Sequence, residues 1–223
     1  MKAIAVSFDN PSPSLDYHML MRVLKRSWET HNPDIPLDVH IIDSPEHVSR
    51  KYGFDVNTAK LEVWGACFKQ DTIFLDCDML CMGKMADGFD LIKDVGYTKR
   101  EGVDCILNGG VSYFKYTPAG REFMEEYVRV NRKMYTDADF WEYWRVRYDG
   151  LNQAAFGYVM ENSVPADPMP EIYNLCPPWN DWQSARMIHI KSKLRRQCLE
   201  ANNRDPDTSG IVDIWQSVKR SII

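Results

Sequence analysis

The feature that most constrains this chain is a repeated change of hydrophobic period over its first hundred residues. Short runs of apolar and β-branched residues at 2–8, 37–42 and 71–76 alternate with stretches whose apolar residues recur every three or four positions. Leu15, Met19, Val23 and Leu24 share one face of a helix expected over residues 15–29. Leu61, Trp64 and Phe68 do the same for a helix over residues 58–70. Strands and helices that alternate in this way form an α/β sandwich with a largely parallel sheet. Later segments extend the pattern. Strands are expected at 95–98, 106–116 and 187–190, and helices at 151–160 and 211–223. Thr117 is a suitable cap for a helix over 119–135, with Pro118 in its first turn, where the missing N–H does no harm. The Pro- and Ser-bearing stretch at 9–14 reads as a loop, with Ser14 as the cap of the first helix.

A chain of 223 residues can bury a sizeable core without covalent staples. Its six cysteines contain no C-x-x-C pair, and Cys77 and Cys81 have no second pair to complete a zinc site, so reduced thiols are expected. The net charge of −5 argues against nucleic acid as a partner, because phosphate-backbone binding needs a basic surface. No apolar run approaches the ~20 residues of a membrane span. The N-terminus turns polar after Val6, unlike a secretory leader, so the expected location is cytoplasmic.

Ligands of open α/β sheets bind beyond the carboxyl ends of the strands, which directs attention to the residues just past each apolar run. Ile73-Phe74-Leu75 leads directly into Asp76-Cys77-Asp78. On extended backbone the two carboxylates share a side, where they repel unless a positive group lies between them. A divalent cation, Mg²⁺ or Mn²⁺, suits hard carboxylate oxygens; a solvated turn is the plainer alternative. His189 lies in the late apolar run and is expected to end a strand of the same sheet. It would add an imidazole that favours Mn²⁺, unless it is a core histidine with a backbone partner. Asn108-Gly109-Gly110 allows close approach of the backbone to a ligand and offers an amide for hydroxyls, or else forms an ordinary turn. Asn152-Gln153 opens a helix, either as a polar start or as a second pair of amides. Trp141 and Trp144 have the spacing of core packing, whereas the ring-bearing segment 177–182 could receive an acceptor sugar.

The order of these motifs resembles the GT-A fold glycosyltransferases and is most similar to glycosyltransferase family 8, the glycogenin- and galactosyltransferase-like enzymes. Leu75-Asp76-Cys77-Asp78, Asn108-Gly109-Gly110-Val111, Asn152-Gln153 and His189 carry the likeness. It implies a single GT-A domain over residues 1–223, with a mostly parallel central sheet flanked by helices. Residues 1–116 would form the nucleotide-binding half and residues 117–223 the acceptor-side half. It implies an enzyme that moves a sugar from a nucleotide-diphosphate sugar, a UDP-sugar first among the candidates, to an unknown acceptor with retention of configuration. Asp76, Asp78 and His189 would hold Mn²⁺ or Mg²⁺. Ser7, Phe8 and Asp9 would meet the nucleoside. Lys60, Gly109, Gly110, Asn152, Lys191 and Lys193 would line the phosphates and sugar, and Asn108 and Gln153 would act on the donor sugar. The family commonly has Asp-Gln where this chain has Asn152-Gln153. It also has a His-x-x-Gly-x-x-Lys-Pro-Trp run, of which His189-Ile190-Lys191-Ser192-Lys193 lacks the glycine, the proline and the tryptophan.

Two other readings use the same residues. Haloacid-dehalogenase-like phosphatases carry a strand followed by Asp-x-Asp, and would make Asp76 a nucleophile and Asp78 an acid in a Mg²⁺-dependent hydrolysis. A non-catalytic module would bind a nucleotide sugar without turnover.

Overall fold

The strands nearest the N-terminus are apolar on both faces, which fits them for burial between two layers of helices. The computed structural model describes residues 1–8, 16–42, 52–99, 107–176, 182–200 and 205–223. In it β1 (Lys2–Phe8) pairs in parallel with β2 (Leu37–Ile42) and β3 (Thr72–Asp76). The sheet continues through β6 (Leu107–Phe114) and β5 (Val95–Lys99) to the edge strand β7 (Asp167–Met169), in the order β2-β1-β3-β6-β5-β7. β6 runs against β3 and β5, and the other strands share one direction. The mostly parallel α/β architecture expected from the sequence is therefore present.

Side chains alternate between the two faces of this sheet. Ile4, Val6, Phe74 and Phe114 pack with Leu61 and Trp64 of α2 (Tyr52–Cys67), Phe123 and Tyr127 of α3 (Pro118–Thr136) and Phe156 of α5 (Leu151–Asn162). Ala3, Ala5, Ile73 and Leu75 face the other way, toward Leu24 and Trp28 of α1 (Tyr17–His31). Thr117 caps α3 as expected, its hydroxyl accepting from the Gly120 N–H at 3.1 Å. The first helix is capped by Asp16, whose carboxylate accepts from the Met19 N–H; Ser14 lies outside the described residues.

A second, two-stranded sheet is the main departure from expectation. The chain bends at Cys77 and Asp78, leaves the large sheet, and forms β4 (Met79–Cys81), which pairs antiparallel with β8 (Met187–His189). His189 thus ends a strand of the small sheet, not of the central one. Its partner in the ladder is Met79, the residue after Asp78. Two helices escaped the sequence reading. α4 (Ala138–Tyr148) packs Trp144 against Tyr148 and Tyr158, which gives the Trp141–Trp144 segment a packing role. α6 (Ser192–Glu200) follows β8 directly, and α7 (Ser209–Arg220) closes a third apolar cluster with α1 and α6. Cys77, Cys81, Cys176 and Cys198 are buried free thiols and Cys67 is half-buried. Among the described residues no helix is long and apolar enough to cross a membrane.

Phe114 holds the two halves of the sheet to the α2–α3–α5 layer. Its ring meets Phe74 and Phe123 at centroid distances of 5.3 and 5.6 Å and is fully buried. Phe114→Ala should cost about 3–5 kcal/mol, the range for truncating a buried phenylalanine. Urea unfolding measures this, and a loss below 1 kcal/mol would contradict the packing described.

Candidate active site

The carboxyl ends of β1 and β3 open into a cleft of about 300 Å³. Phe8 and Tyr17 form one wall, with ring centroids 5.0 Å apart in an edge-to-face pair. Asn57 and Lys60 of α2 form another, and Asp76 and Asp78 lie at the base. Ser7 is fully buried beside Phe8, and its hydroxyl donates to the Tyr17 carbonyl at 3.4 Å. Asp9 falls outside the described residues.

The two carboxylates are neutralised from three directions. The ammonium of Lys60 lies 2.5 Å from Asp76 Oδ1, and the Arg195 guanidinium lies 2.5 Å from Asp78 Oδ2. The opposite oxygens face His189, whose Nε2 is 3.2 Å from Asp78 Oδ1 and 3.7 Å from Asp76 Oδ2. Lys60, Asp78 and His189 are all buried. Two like charges about 4 Å apart at an effective dielectric near 20 repel by about 4 kcal/mol, so the cations hold this pair together. Burial alone would raise the Asp78 carboxyl. The charge and hydrogen bond of His189, together with Arg195, outweigh it and hold the group well below the usual carboxylate range. Burial pulls the His189 imidazole down and Lys191 adds to that, but the charge and hydrogen bond of Asp78, with Cys176, outweigh them and raise it above its ordinary value.

β6 supplies the shape around the histidine. A Cβ on Gly110 would sit 2.4 Å from His189 Nδ1 and 3.0 Å from Asn174 Oδ1, so only glycine leaves room for the ring. The neighbouring Gly109 lies against Gln153, where a Cβ would be 3.2 Å from Cγ. Gln153 Nε2 donates to the Leu107 and Tyr148 carbonyls at 2.7 and 3.1 Å, which fixes the plane of its amide. Asn152 Nδ2 donates to the carbonyl of Asn57, a cleft residue, at 3.4 Å. Asn108 is buried: its Nδ2 donates to the Asn174 carbonyl at 2.8 Å, and its Oδ1 accepts from Lys191 Nζ at 3.5 Å. Cys176 adjoins both Asn108 and His189. Burial raises its thiol, but the neighbouring His189 and Lys191, together with the hydrogen bond from Asn108 Nδ2, outweigh that and lower it.

Lys193 stands apart from the cluster. Its ammonium is exposed and pairs with Asp205 at 2.9 Å. A helix explains why: residues two apart point to nearly opposite sides, whereas residues four apart share one. On α6, which begins at Ser192, Arg195 faces Asp78, and Lys193, two residues earlier, faces solvent. Arg195 and Tyr17 are among the site residues that the sequence reading missed, with Asn57, Asn174 and Cys176; Arg195 Nη1 donates to the Tyr17 hydroxyl at 3.1 Å. A signal for Arg195 was present. Counting from His189, the family's glycine falls on Ser192 and its lysine on Arg195. Ser192 has φ +49°, the left-handed region that favours glycine. Ser192 therefore holds a turn that favours glycine, three residues before Arg195.

Among the described residues, Asp76, Asp78 and His189 have ligating atoms within 4.8 Å of one another. Donors around a small divalent cation lie about 2.0–2.2 Å from it, hence at most about 4.4 Å apart. The set could hold such an ion after a small inward movement.

Several solved glycosyltransferases share this architecture. One, involved in glycosylation of the major capsid of PBCV-1, superposes with a TM-score of 0.62 at 13% identity over 91% of this chain and 100% of its own. The galactosyltransferase LgtC, solved with donor and acceptor sugar analogs, gives 0.62 at 12% identity over 99% of this chain and 96% of its own. GlyE of Streptococcus pneumoniae TIGR4 gives 0.62 at 12% identity, and here the match spans 98% of this chain but 60% of GlyE. No family model matches the sequence, and no curated protein matches it either. The chain has the GT-A fold of these glycosyltransferases.

The paired shifts predict a pH signature in metal-free protein. His189, raised, stabilises the fold fully below its ordinary value of 6.5, and this is lost as pH rises through the raised value. Asp78, lowered, stabilises above its ordinary 3.8, and this is lost as pH falls. The melting-temperature gap between the parent and His189→Gln in EDTA should be widest between about pH 4 and 6.5 and narrow toward pH 9. A gap that stays constant from pH 6 to 9 would show that the imidazole carries no charge in the fold.

Proposed function

We propose that the protein is a metal-dependent glycosyltransferase acting on a nucleotide-diphosphate sugar. The observation that carries this reading is the meeting of Asp76, Asp78 and His189 at the base of a cleft at the carboxyl end of β3, on a GT-A fold. These three residues would hold Mn²⁺ or Mg²⁺. A cation bound there supplies Lewis-acid stabilisation of the diphosphate as it leaves the sugar. Phe8 and Tyr17 offer ring surface to the nucleoside, beside Ser7. Lys60, Lys191 and Arg195 place positive charge around the base of the cleft, where a diphosphate would need it; Arg195 takes the role first given to Lys193. Gln153, fixed by two backbone carbonyls and set against Gly109, would orient the donor sugar. Asn108 would position Lys191 and the 174–176 segment around it. Retention of configuration accompanies the family 8 likeness. A UDP-sugar is the first donor to try, and the acceptor stays open among glycan, protein and small molecule.

Incubation with a panel of nucleotide sugars and Mn²⁺ should release nucleoside diphosphate. Release of inorganic phosphate instead would favour the phosphatase reading. The accompanying thermal shift should approach about 2.7 kcal/mol of stabilisation when ligand exceeds its Kd a hundredfold. Asp76→Asn and Asp78→Asn should each remove the Mn²⁺-dependent part of that shift, and retention of the shift in both variants would sink the metal assignment. Gln153→Ala should lower transfer by roughly 10²–10³, as expected when a positioned polar group near developing charge is lost. Its affinity for the free diphosphate, measured by calorimetry, should stay near that of the parent.

A further inference from the structure

Behind His189, at the ring nitrogen turned from the carboxylates, a buried polar network ends in two atoms without partners. Thr98, Asn108, Asn174 and His189 are all fully buried. The Asn174 amide is held by its nitrogen: Nδ2 donates to Thr98 Oγ1 at 3.0 Å and to the Asn108 carbonyl at 3.1 Å. A carbonyl can only accept, so the amide cannot be turned the other way round. Asn108 Nδ2 returns a bond to the Asn174 carbonyl at 2.8 Å. Asn174 Oδ1 is the free end of this network. Among the described residues, neither it nor His189 Nδ1 has a hydrogen-bond partner.

Both orphans border one space. A Cβ on Gly110 would lie 2.4 Å from His189 Nδ1 and 3.0 Å from Asn174 Oδ1, so the glycine keeps open the gap across which they can meet. Backbone pairing holds them side by side. The His189 N–H donates to the Leu175 carbonyl at 2.8 Å, and the Leu175 N–H donates to the Met187 carbonyl at 2.9 Å. Buried polar atoms without a partner are rare in folded proteins, and here a ring nitrogen and an amide oxygen are left facing one gap. Cys176 also adjoins His189, but its sulfur is a weak acceptor and already takes the Asn108 Nδ2–H at 3.2 Å.

We infer that Asn174 is a positioning residue: its Oδ1 accepts the Nδ1–H of His189 and so turns the Nε2 lone pair toward Asp76 and Asp78. This rests on the metal reading above. An imidazole that ligates through one nitrogen carries its proton on the other, and the acceptor that takes that proton fixes the plane and tautomer of the ring. An amide oxygen does this without adding a third negative charge behind the two carboxylates.

The test separates the acceptor from the scaffold. Mn²⁺ affinity is read from the electron paramagnetic resonance signal of free Mn²⁺. Asn174→Leu should weaken it roughly 10- to 100-fold, the range for losing the outer partner of a ligating histidine. Asn174→Asp loses the same NH₂ bonds to Thr98 and Asn108 but keeps an oxygen behind the ring, and it should bind Mn²⁺ at least as tightly as the parent. In a His189→Gln background the effect of Asn174→Leu should largely vanish, because the two residues act through one contact. A merely structural role would weaken binding equally in the Leu and Asp variants, and would do so whether or not His189 is present; either result overturns the proposal. If circular dichroism shows that Asn174→Leu fails to fold, Asn174→Ala takes its place in the same comparison. A folded Asn174→Asp that loses Mn²⁺ tenfold also overturns it. A parent that binds no Mn²⁺, with or without UDP, would remove the metal reading itself, whereas Mn²⁺ binding unaltered in Asn174→Leu would remove the positioning role alone.

Discussion

Two aspartates placed side by side at the end of a buried strand repel each other, and much of the surrounding architecture answers that repulsion. Asp76 and Asp78 are compensated by residues from three elements, one before them in sequence and two more than a hundred residues after: Lys60 on α2, His189 on β8 and Arg195 on α6. α2 lies on one face of the sheet, and β4 and β8 pack with α1 on the other. The site is therefore a joint between layers, and the positions of those layers fix its charge balance. Removing any one partner would leave a buried charge without compensation, which is far costlier than losing a surface ion pair.

Much of this was legible in the sequence because it depended on local pattern. β1, β2 and β3 announce themselves as apolar runs, and the Thr117 cap and Pro118 mark the start of α3. The Asp-x-Asp step and the histidine in a late apolar strand were visible for the same reason. What was hidden depended on neighbours. β4 is three residues long and continues β3 in sequence, so only the bend at Cys77–Asp78 separates it from the large sheet. β7 contains Pro168, which a strand tolerates at a sheet edge but which argues against a strand in a bare sequence. α6 is rich in Lys and Arg and shows only a narrow apolar side, formed by Leu194 and Cys198 packing on α7 and α1. Missing that helix hid Arg195 and promoted Lys193, since without a helical period the basic residues after His189 look equivalent.

The glycines show the same division. Gly109-Gly110 could be read as a place of close approach, but the sequence could not say to what. In the fold the approaching groups are the side chains of Gln153 and His189, so the pair serves to seat two candidate site residues. Asn108 likewise offered an amide, and the structure spends it on the Asn174 carbonyl and on Lys191.

The ladder between β4 and β8 sets the distance from Asp78 to His189 through backbone pairing, with Met79 opposite His189. In such a ladder the rise is about 3.4 Å per residue and successive side chains alternate faces. A one-residue slip would carry the imidazole away from the carboxylates and turn it to the other side at once. The roughly one hundred residues that lie between the two strands are under no such constraint from this pair. Loops and helices there can lengthen, shorten or be exchanged among descendants of this scaffold while the pair survives. An insertion of a single residue within either three-residue strand cannot. The chemistry of the site is thus inherited through a register, and variation in the substrate-facing parts of the chain can proceed without disturbing it.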